Sequence, residues 1–359
     1  MKDEINCGKL NLVLMIDGFG HGGIQQAYLL LLNEYLEKFN SVILIIAQKS
    51  NYDLMIPKSK KLTVINLHSI KLLDLSAVRK LRKLFREIEP KYIICNMYRS
   101  QIWSALARTK FSKLIWVEQN TYINRTASQW LLMRILAKKV DKIVCISEDV
   151  WRLTTKHLKQ KSITTIIPNP IRNKFQKIDI YRKNNDFIFV ARMVPQKNPQ
   201  LMLRSFATFV EQYNINSKLH LVGDGELLNQ LKELSITLGI ADRCIFHGWI
   251  DNTQIHELMN KCKTLVSTSL VEGMALVRLE ALANGCCVVS TETGGARQYL
   301  MPDNHIGTFI THINEIEISR KMYDSLNVKY WSGDCISSRI ALTNEFNPTL
   351  ISYKLIYFN

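Results

Sequence analysis

Short, almost wholly apolar runs recur along the chain, separated by longer segments whose apolar residues are spaced as on one face of a helix. The first half carries "LNLVLMI" (10–16), "SVILIIA" (41–47), "LTVINLH" (62–68), "KYIICNM" (91–97), "KLIWVEQ" (113–119) and "DKIVCIS" (141–147). After "IIPNPI" (166–171), whose two prolines predict an extended connection, the alternation restarts with "FIFVA" (187–191), "KLHLVG" (218–223), "CIFHGW" (244–249), "TLVSTS" (264–269) and "CVVSTE" (287–292). Strands apolar along their whole length, alternating with helices, are the mark of a parallel sheet covered on both faces. The expectation is an α/β chain of two doubly wound, Rossmann-like domains with a cleft between them.

Composition narrows the setting. A chain of 359 residues exceeds one typical domain, and 47% apolar with 22% charged residues is an ordinary globular mixture. No run approaches the roughly 18 consecutive apolar residues of a membrane span, and "MKDEINCGKL" has acids where a secretory signal would be basic and then apolar. The eight cysteines form no C-x-x-C pair and fall mostly in apolar strands, so they read as reduced small hydrophobes and not as zinc ligands. A cytoplasmic location follows as the expectation. The net charge of +16 predicts affinity for phosphates of some kind. Aromatic residues do not interleave with the basic ones as in single-strand binders, so nucleic acid is not the expected partner.

Open parallel sheets bind ligands at the carboxyl ends of their strands, so the loops that follow the strands matter most. The first, "DGFGHGG", holds Gly18, Gly20 and Gly23 in the G-x-G-x-x-G spacing of a dinucleotide-binding turn. A nicotinamide enzyme would also need an acid at the end of the second strand, where this chain has Gln48, Lys49 and Ser50. The glycines remain useful: Gly22 and Gly23 let amides at a helix start approach an anion, or form a tight turn. In the second half "ARMVPQKN" places Arg192 and Lys197 in one strand-to-helix loop, where two cations can converge on one anionic group. Further on, "VEGMALVRLEALANG" encloses an apolar helix between Glu272 and Glu280. Eight residues of helix rise about 12 Å, a span suited to two ends of one elongated ligand.

Taken together, "STSLVEGMALVRLEALANGCCVVSTETGG", "ARMVPQKN", "LVGDGE", "FHGW" and "GHGGIQQ" resemble, in their order and spacing, the family 4 glycosyltransferases, retaining nucleotide-sugar enzymes with the GT-B fold of two facing Rossmann-like domains. The resemblance covers nearly the whole chain. It implies that Arg192 and Lys197 hold the donor diphosphate, that Glu272 contacts hydroxyls of the donor sugar and that Glu280 bonds the ribose. It further implies a sugar and phosphate cradle of backbone amides at Gly273, Met274 and Ala275, a base contact from the main chain of Ile250, and closure of Gly22 and Gly23 on the diphosphate. No D-x-D motif occurs, so neither metal nor other cofactor is expected.

The chain also departs from that pattern. Where many relatives carry histidines after the fourth and fifth strands, it has Asn96 and either Gln119 or Asn120, expected to hydrogen-bond donor or acceptor at the reacting centre. Glu118 is either a substitute base or structural. Ala275 replaces a common proline, and Arg278 replaces an apolar helix residue, pointing to solvent or pairing with an acid. The acceptor implied by the resemblance is a glycan or lipid-linked glycan in cell-surface polysaccharide assembly.

In "DLSAVRKLRKLFREIEP", Arg79, Lys80, Arg82, Lys83 and Arg86 alternate with Val78, Leu81, Leu84, Phe85 and Ile88. Such a helix either rests on an anionic membrane or covers the sheet with a solvated basic face. The expected domains are 1–168 with 341–359 returning, and 171–340. A nucleotide-sugar epimerase of similar architecture or, less favoured, an NAD(P)-dependent oxidoreductase are the competing activities.

Overall fold

The computed structural model describes residues 11–18, 23–48, 56–69, 71–120, 125–172, 183–300, 307–310 and 312–357. The chain forms two compact units, Met1–Pro170 with Pro348–Asn359, and Ile171–Asn347.

The first unit is a seven-stranded parallel sheet in the order β3-β2-β1-β4-β5-β6-β7. Its strands are β1 (Asn11–Ile16), β2 (Ser41–Ile46), β3 (Leu62–Asn66), β4 (Tyr92–Asn96), β5 (Lys113–Glu118), β6 (Lys142–Cys145) and β7 (Thr164–Ile166). Leu12 to Ile16 are all at most 1% exposed, which explains the unbroken apolar run: both faces of this central strand are covered. The second unit is a six-stranded parallel sheet in the order β10-β9-β8-β11-β12-β13. It comprises β8 (Asn184–Val190), β9 (Leu219–Val222), β10 (Cys244–Gly248), β11 (Cys262–Ser267), β12 (Cys287–Thr291) and β13 (Gly307–Ile310). Its core gathers Phe187, Phe189, Phe206 and Phe209 with Leu219, Leu221 and Val266. Strands β7 and β13 lie at sheet edges; with only three and four residues they carry too short an apolar pattern to stand out from loop.

In both sheets the order reverses beside the first strand, between β1 and β4 and between β8 and β11. Such a reversal opens a crevice at the carboxyl ends of the two strands concerned. The loops after β8 and β11 are the ones that carry Arg192, Lys197 and Glu272.

The returning tail is shorter than expected. Helix Gly333–Thr343 packs on helix Leu276–Ala283 of the second unit, and the fully buried Arg339 anchors it there by donating to the carbonyls of Gly285 (3.1 Å) and Tyr330 (2.5 Å). Only from Pro348 does the chain belong to the first unit, where Lys38 donates to the Thr349 carbonyl at 3.2 Å. The expected start at 341 is thereby corrected to 348. Among the described residues seven cysteines are free and none forms a disulfide. No helix among them is long and apolar enough to cross a membrane.

Candidate functional site

The loop after β8 is shaped by its neighbours. Met193 donates its amide to the Asp224 carbonyl (2.9 Å), and a β-carbon on Gly223 (φ 127°) would lie 1.9 Å from the Ala191 carbonyl oxygen. A β-carbon on Gly225 (φ 155°) would lie 2.5 Å from that of Met193. Only glycine satisfies both the torsion and the approach, which is why "VGDGE" accompanies "ARMVPQKN". Arg192 is exposed and pairs with no carboxylate among the described residues. Lys197 closes a short turn, Pro195–Lys197, before Asn198 (φ 51°) starts helix Pro199–Tyr213.

This turn is bonded to the loop after β11. Gln196 donates to the Val271 carbonyl (2.8 Å) and accepts from the Leu270 amide (2.9 Å), and the Thr268 hydroxyl donates to the carbonyls of Lys197 (3.1 Å) and Asn198 (3.0 Å). Lys197 Nζ and Glu272 Oε1 consequently form a close, largely buried ion pair, their side chains 17% and 9% exposed. Beyond Glu272, Gly273 and Met274 are half-buried and Ala275 buried, and helix Leu276–Ala283 begins with no side-chain cap and no acid in its first turn. The Arg278 amide bonds the Ala275 carbonyl (3.0 Å), and the amides of Leu276 and Val277 before it are left for a ligand or water. A carboxylate, an ammonium, a guanidinium and a bare helix N-terminus belong to one loop system at the sheet reversal.

Glu280, about one turn along that helix, is half-buried. Burial pushes its carboxyl up to about 7, and Arg172 partly opposes the rise. Ile250, also half-buried, follows the exposed Trp249 and immediately precedes Asp251, which caps helix Asn252–Lys261 by accepting from the Gln254 amide at 3.0 Å.

The first unit treats its expected site residues differently. Gly22 lies outside the described residues; Gly23 opens helix Gly23–Lys38, whose first turn holds no acid. Asn96 and Gln119 are 3% and 7% exposed, and Gln119 Nε2 donates to Asn96 Oδ1 (2.9 Å) and Asn169 Oδ1 (3.3 Å), while Asn169 Nδ2 donates back to Gln119 Oε1 (2.7 Å). Their amides bond one another beside a cavity that both line with Tyr28 and Pro168. Glu118 accepts from both terminal nitrogens of Arg125 (3.3 and 3.2 Å), whose guanidinium lies 4.8 Å from the rings of Tyr98 and of Trp130. Of its two readings the structural one prevails. Asp17, after β1, takes the amides of Arg99 (3.0 Å) and Ser100 (2.7 Å), and so holds Met97 at φ 73°, ψ 159°, a region nearly reserved for glycine.

Two family models match the chain, "Glycosyl transferases group 1" over residues 170–328 and "Glycosyltransferase Family 4" over residues 22–174. The chain belongs to glycosyltransferase family 4. Among its relatives in this family is a Campylobacter jejuni GalNAc-alpha-(1->4)-GalNAc-alpha-(1->3)-diNAcBac-PP-undecaprenol alpha-1,4-N-acetyl-D-galactosaminyltransferase, 31% identical over 46% of this chain and 45% of that protein. Another is the Escherichia coli UDP-Gal:alpha-D-GlcNAc-diphosphoundecaprenol alpha-1,3-galactosyltransferase, 29% identical over 53% of this chain and 51% of that protein. This chain thus spans about half the length of these curated relatives. The crystal structure of Anabaena Alr3699/HepE in complex with UDP is similar in fold, with a TM-score of 0.80 at 17% identity over 96% of this chain and 98% of that one. The fold of this family member is accordingly GT-B.

Two further features were hidden from the sequence. Arg278 neither faces solvent nor meets an acid among the described residues: it is wholly buried and donates to Thr293 and Ser267. The basic helix Leu75–Ile88 buries Ala77, Val78, Leu81 and Phe85 in its own unit, so this apolar face is turned inward, while Arg79, Lys80, Arg82, Lys83 and Arg86 are exposed beside Leu75, Ser76 and Glu87.

Proposed function

We propose that this glycosyltransferase moves a hexose or N-acetylhexosamine from a UDP- or GDP-sugar to a glycan or lipid-linked glycan, with retention and without a metal ion, in cell-surface polysaccharide assembly. The observation that carries the reading is the welded pair of loops after β8 and β11, which brings Lys197 and Glu272 together beside the uncapped start of helix Leu276–Ala283. The difficult step is departure of a nucleoside diphosphate, and the charge growing on its oxygens is met by Arg192, Lys197 and the helix amides. Those positive groups do the work a metal would otherwise do. Glu272 holds the sugar, and Gly273, Met274 and Ala275 line the path from sugar to phosphate. Glu280 takes the ribose hydroxyls and Ile250 the base. Support for the donor class and acceptor comes from the UDP bound to Alr3699/HepE and from two relatives named for undecaprenol-linked acceptors.

A thermal-shift panel of UDP, GDP, ADP, NAD and their common sugar conjugates, with and without a chelator, tests this. A ligand at 100 times its Kd adds about 2.7 kcal/mol of stability. Stabilisation by one nucleoside diphosphate and its sugar conjugate, undiminished by chelator, is expected; indifference to every nucleoside diphosphate overturns the reading.

Glu280 adds a pH signature. The ionised carboxylate accepts from ribose hydroxyls, so nucleotide affinity is expected to rise with pH up to about 7 and then level off. A carboxyl raised by burial binds its proton more tightly folded than unfolded, so stability declines as pH climbs from its ordinary range to about 7 and the full cost stands above that. Glu280→Gln is expected to weaken and flatten the affinity profile while stabilising the fold by on the order of 1–3 kcal/mol more at pH 8 than at pH 5, seen as a larger gain in Tm at pH 8. A Tm gain independent of pH would contradict the assignment.

We also infer an electrostatic membrane contact. Arg82 and Arg86 line a groove of about 860 Å³ with Lys110, Lys139, Glu89 and Phe111, which is 77% exposed, whereas Arg108 at its wall is paired with Asp141 at 3.0 Å and adds no free charge. Each such cation is worth about 1 kcal/mol at an anionic surface. Sedimentation with phosphatidylglycerol vesicles but not with phosphatidylcholine ones, lost in Arg82→Glu/Arg86→Glu/Lys110→Glu, is expected; equal binding to both vesicle types would refute it.

A further inference from the structure

We propose that Arg278 is the positioning residue of Glu272: it holds the loop after β12 against the carboxylate's backbone and thereby sets where Glu272 meets the donor sugar. The inference rests on the assignment of Glu272 to the sugar. Arg278 sits in the first turn of helix Leu276–Ala283 and is 0% exposed, so it cannot touch a ligand in the crevice. Its guanidinium spreads across two strand ends. One terminal nitrogen donates to the Thr293 carbonyl (2.6 Å), the other to the Thr293 hydroxyl (2.8 Å), and Nε and that second nitrogen both reach the Ser267 hydroxyl (3.3 Å) at the end of β11.

Thr293 leads directly into Gly294, and there the link to the site is made. Gly294 has φ 59° and lies so close to Glu272 that a β-carbon on it would stand 2.6 Å from the Glu272 Cβ and 3.3 Å from its carbonyl carbon and oxygen. The loop is therefore a wall against which Glu272 is seated. The Thr291 hydroxyl, donating to the Ser269 carbonyl at 2.6 Å, ties the same two loops one residue pair earlier.

Arg278 is a poor choice for stability alone. It buries a charge, no carboxylate pairs with it among the described residues, and it places a cation in the first turn of a helix, the end that favours anions. An apolar residue would fill the same space without these costs, as buried ion pairs replaced by apolar residues show. What the guanidinium supplies, and an apolar residue does not, is a planar fork that fixes Thr293 and Ser267 at one separation. Violations of local rules of this kind are expected where geometry at a site is at stake.

The test uses Arg278→Met, Arg278→Lys and Thr293→Val in the full chain. The probes are the nucleotide sugar giving the largest shift in the panel and its own nucleoside diphosphate. Arg278→Met is expected to lower kcat at least tenfold and to weaken the nucleotide sugar at least fivefold, with the Kd of the free nucleoside diphosphate within twofold of the parent. Arg278→Lys should recover part of the loss by keeping one donor, and Thr293→Val, which removes one bond and leaves the arginine in place, should lose about threefold in kcat. If Arg278→Met does not fold, Thr293→Val decides: unchanged kcat overturns the proposal. Equal weakening of nucleotide sugar and free diphosphate also overturns it, because the arginine would then be serving the phosphates through its charge. Glu272→Ala separates the two levels: if it abolishes transfer while the Arg278 and Thr293 variants keep the parent kcat, only the positioning role fails; if it leaves transfer intact, the assignment of Glu272 itself fails.

Discussion

Glu272→Ala is expected to lower the rate of sugar transfer at least a hundredfold, about 2.7 kcal/mol of transition-state stabilisation, while the nucleoside diphosphate binds as well as before or better. The two halves of that expectation have separate causes. Loss of rate follows if the carboxylate grips sugar hydroxyls, because a donor sugar free to turn no longer presents its anomeric carbon to the acceptor. Retained or tightened binding follows from the ion pair: Lys197 is committed to Glu272 in the unliganded protein, and removing the acid releases an ammonium for the diphosphate. Calorimetry with the nucleoside diphosphate alone, beside turnover of its sugar conjugate, reads both. Glu272→Gln, which keeps a hydrogen-bonding group of the same shape, should lose less rate than the alanine variant. Parallel loss of diphosphate affinity and turnover in Glu272→Ala would place the residue on the phosphates and contradict the division of roles with Glu280.

The distinction between what sequence spacing reveals and what it conceals is visible around this pair. The positions of Arg192, Lys197, Glu272 and Glu280 were readable because each lies in a local pattern, a strand followed by a loop and a helix, whose period survives in one dimension. Their pairing was not readable: Lys197 and Glu272 are 75 residues apart and meet only because Gln196 and Thr268 bond the two loops. Burial was the harder quantity. A lone arginine among apolar helix residues reads as a solvent-facing or acid-paired side chain, yet Arg278 is enclosed and satisfied by neutral oxygens that spacing does not announce. The partners of Asn96 and Gln119 were hidden as well. Polar residues at strand ends suggest an open crevice, and Asn169, 50 residues beyond Gln119, closes theirs into an internal amide network. The strands followed the same logic: long apolar runs announced the central ones, while the edge strands β7 and β13 were too short to do so.

Lys197→Met and Arg192→Met are expected to weaken nucleoside diphosphate binding by about tenfold to a hundredfold each, since a charge-assisted hydrogen bond contributes roughly 1.5–3 kcal/mol. They should differ in what else they do. Lys197 shares a largely buried pair with Glu272, so its loss strands a carboxylate that is only 9% exposed. Removing one partner of a buried pair costs about 3 kcal/mol or more, because the remaining charge is left desolvated. Lys197→Met should therefore lower Tm as well as affinity, and adding Glu272→Gln should restore much of the Tm without restoring the affinity. Arg192 is exposed and unpaired among the described residues, so Arg192→Met should leave Tm unchanged. Its affinity loss should also shrink with added salt, as exposed charges are screened within about 8 Å at physiological ionic strength, while the contribution of the sheltered Lys197 should be less sensitive. Unfolding curves and diphosphate titrations at two salt concentrations measure all of these. Equal Tm losses in the two variants would mean that the lysine is not seated on Glu272 as the structure places it, and an unchanged diphosphate affinity in both would remove the cationic half of the proposed donor site.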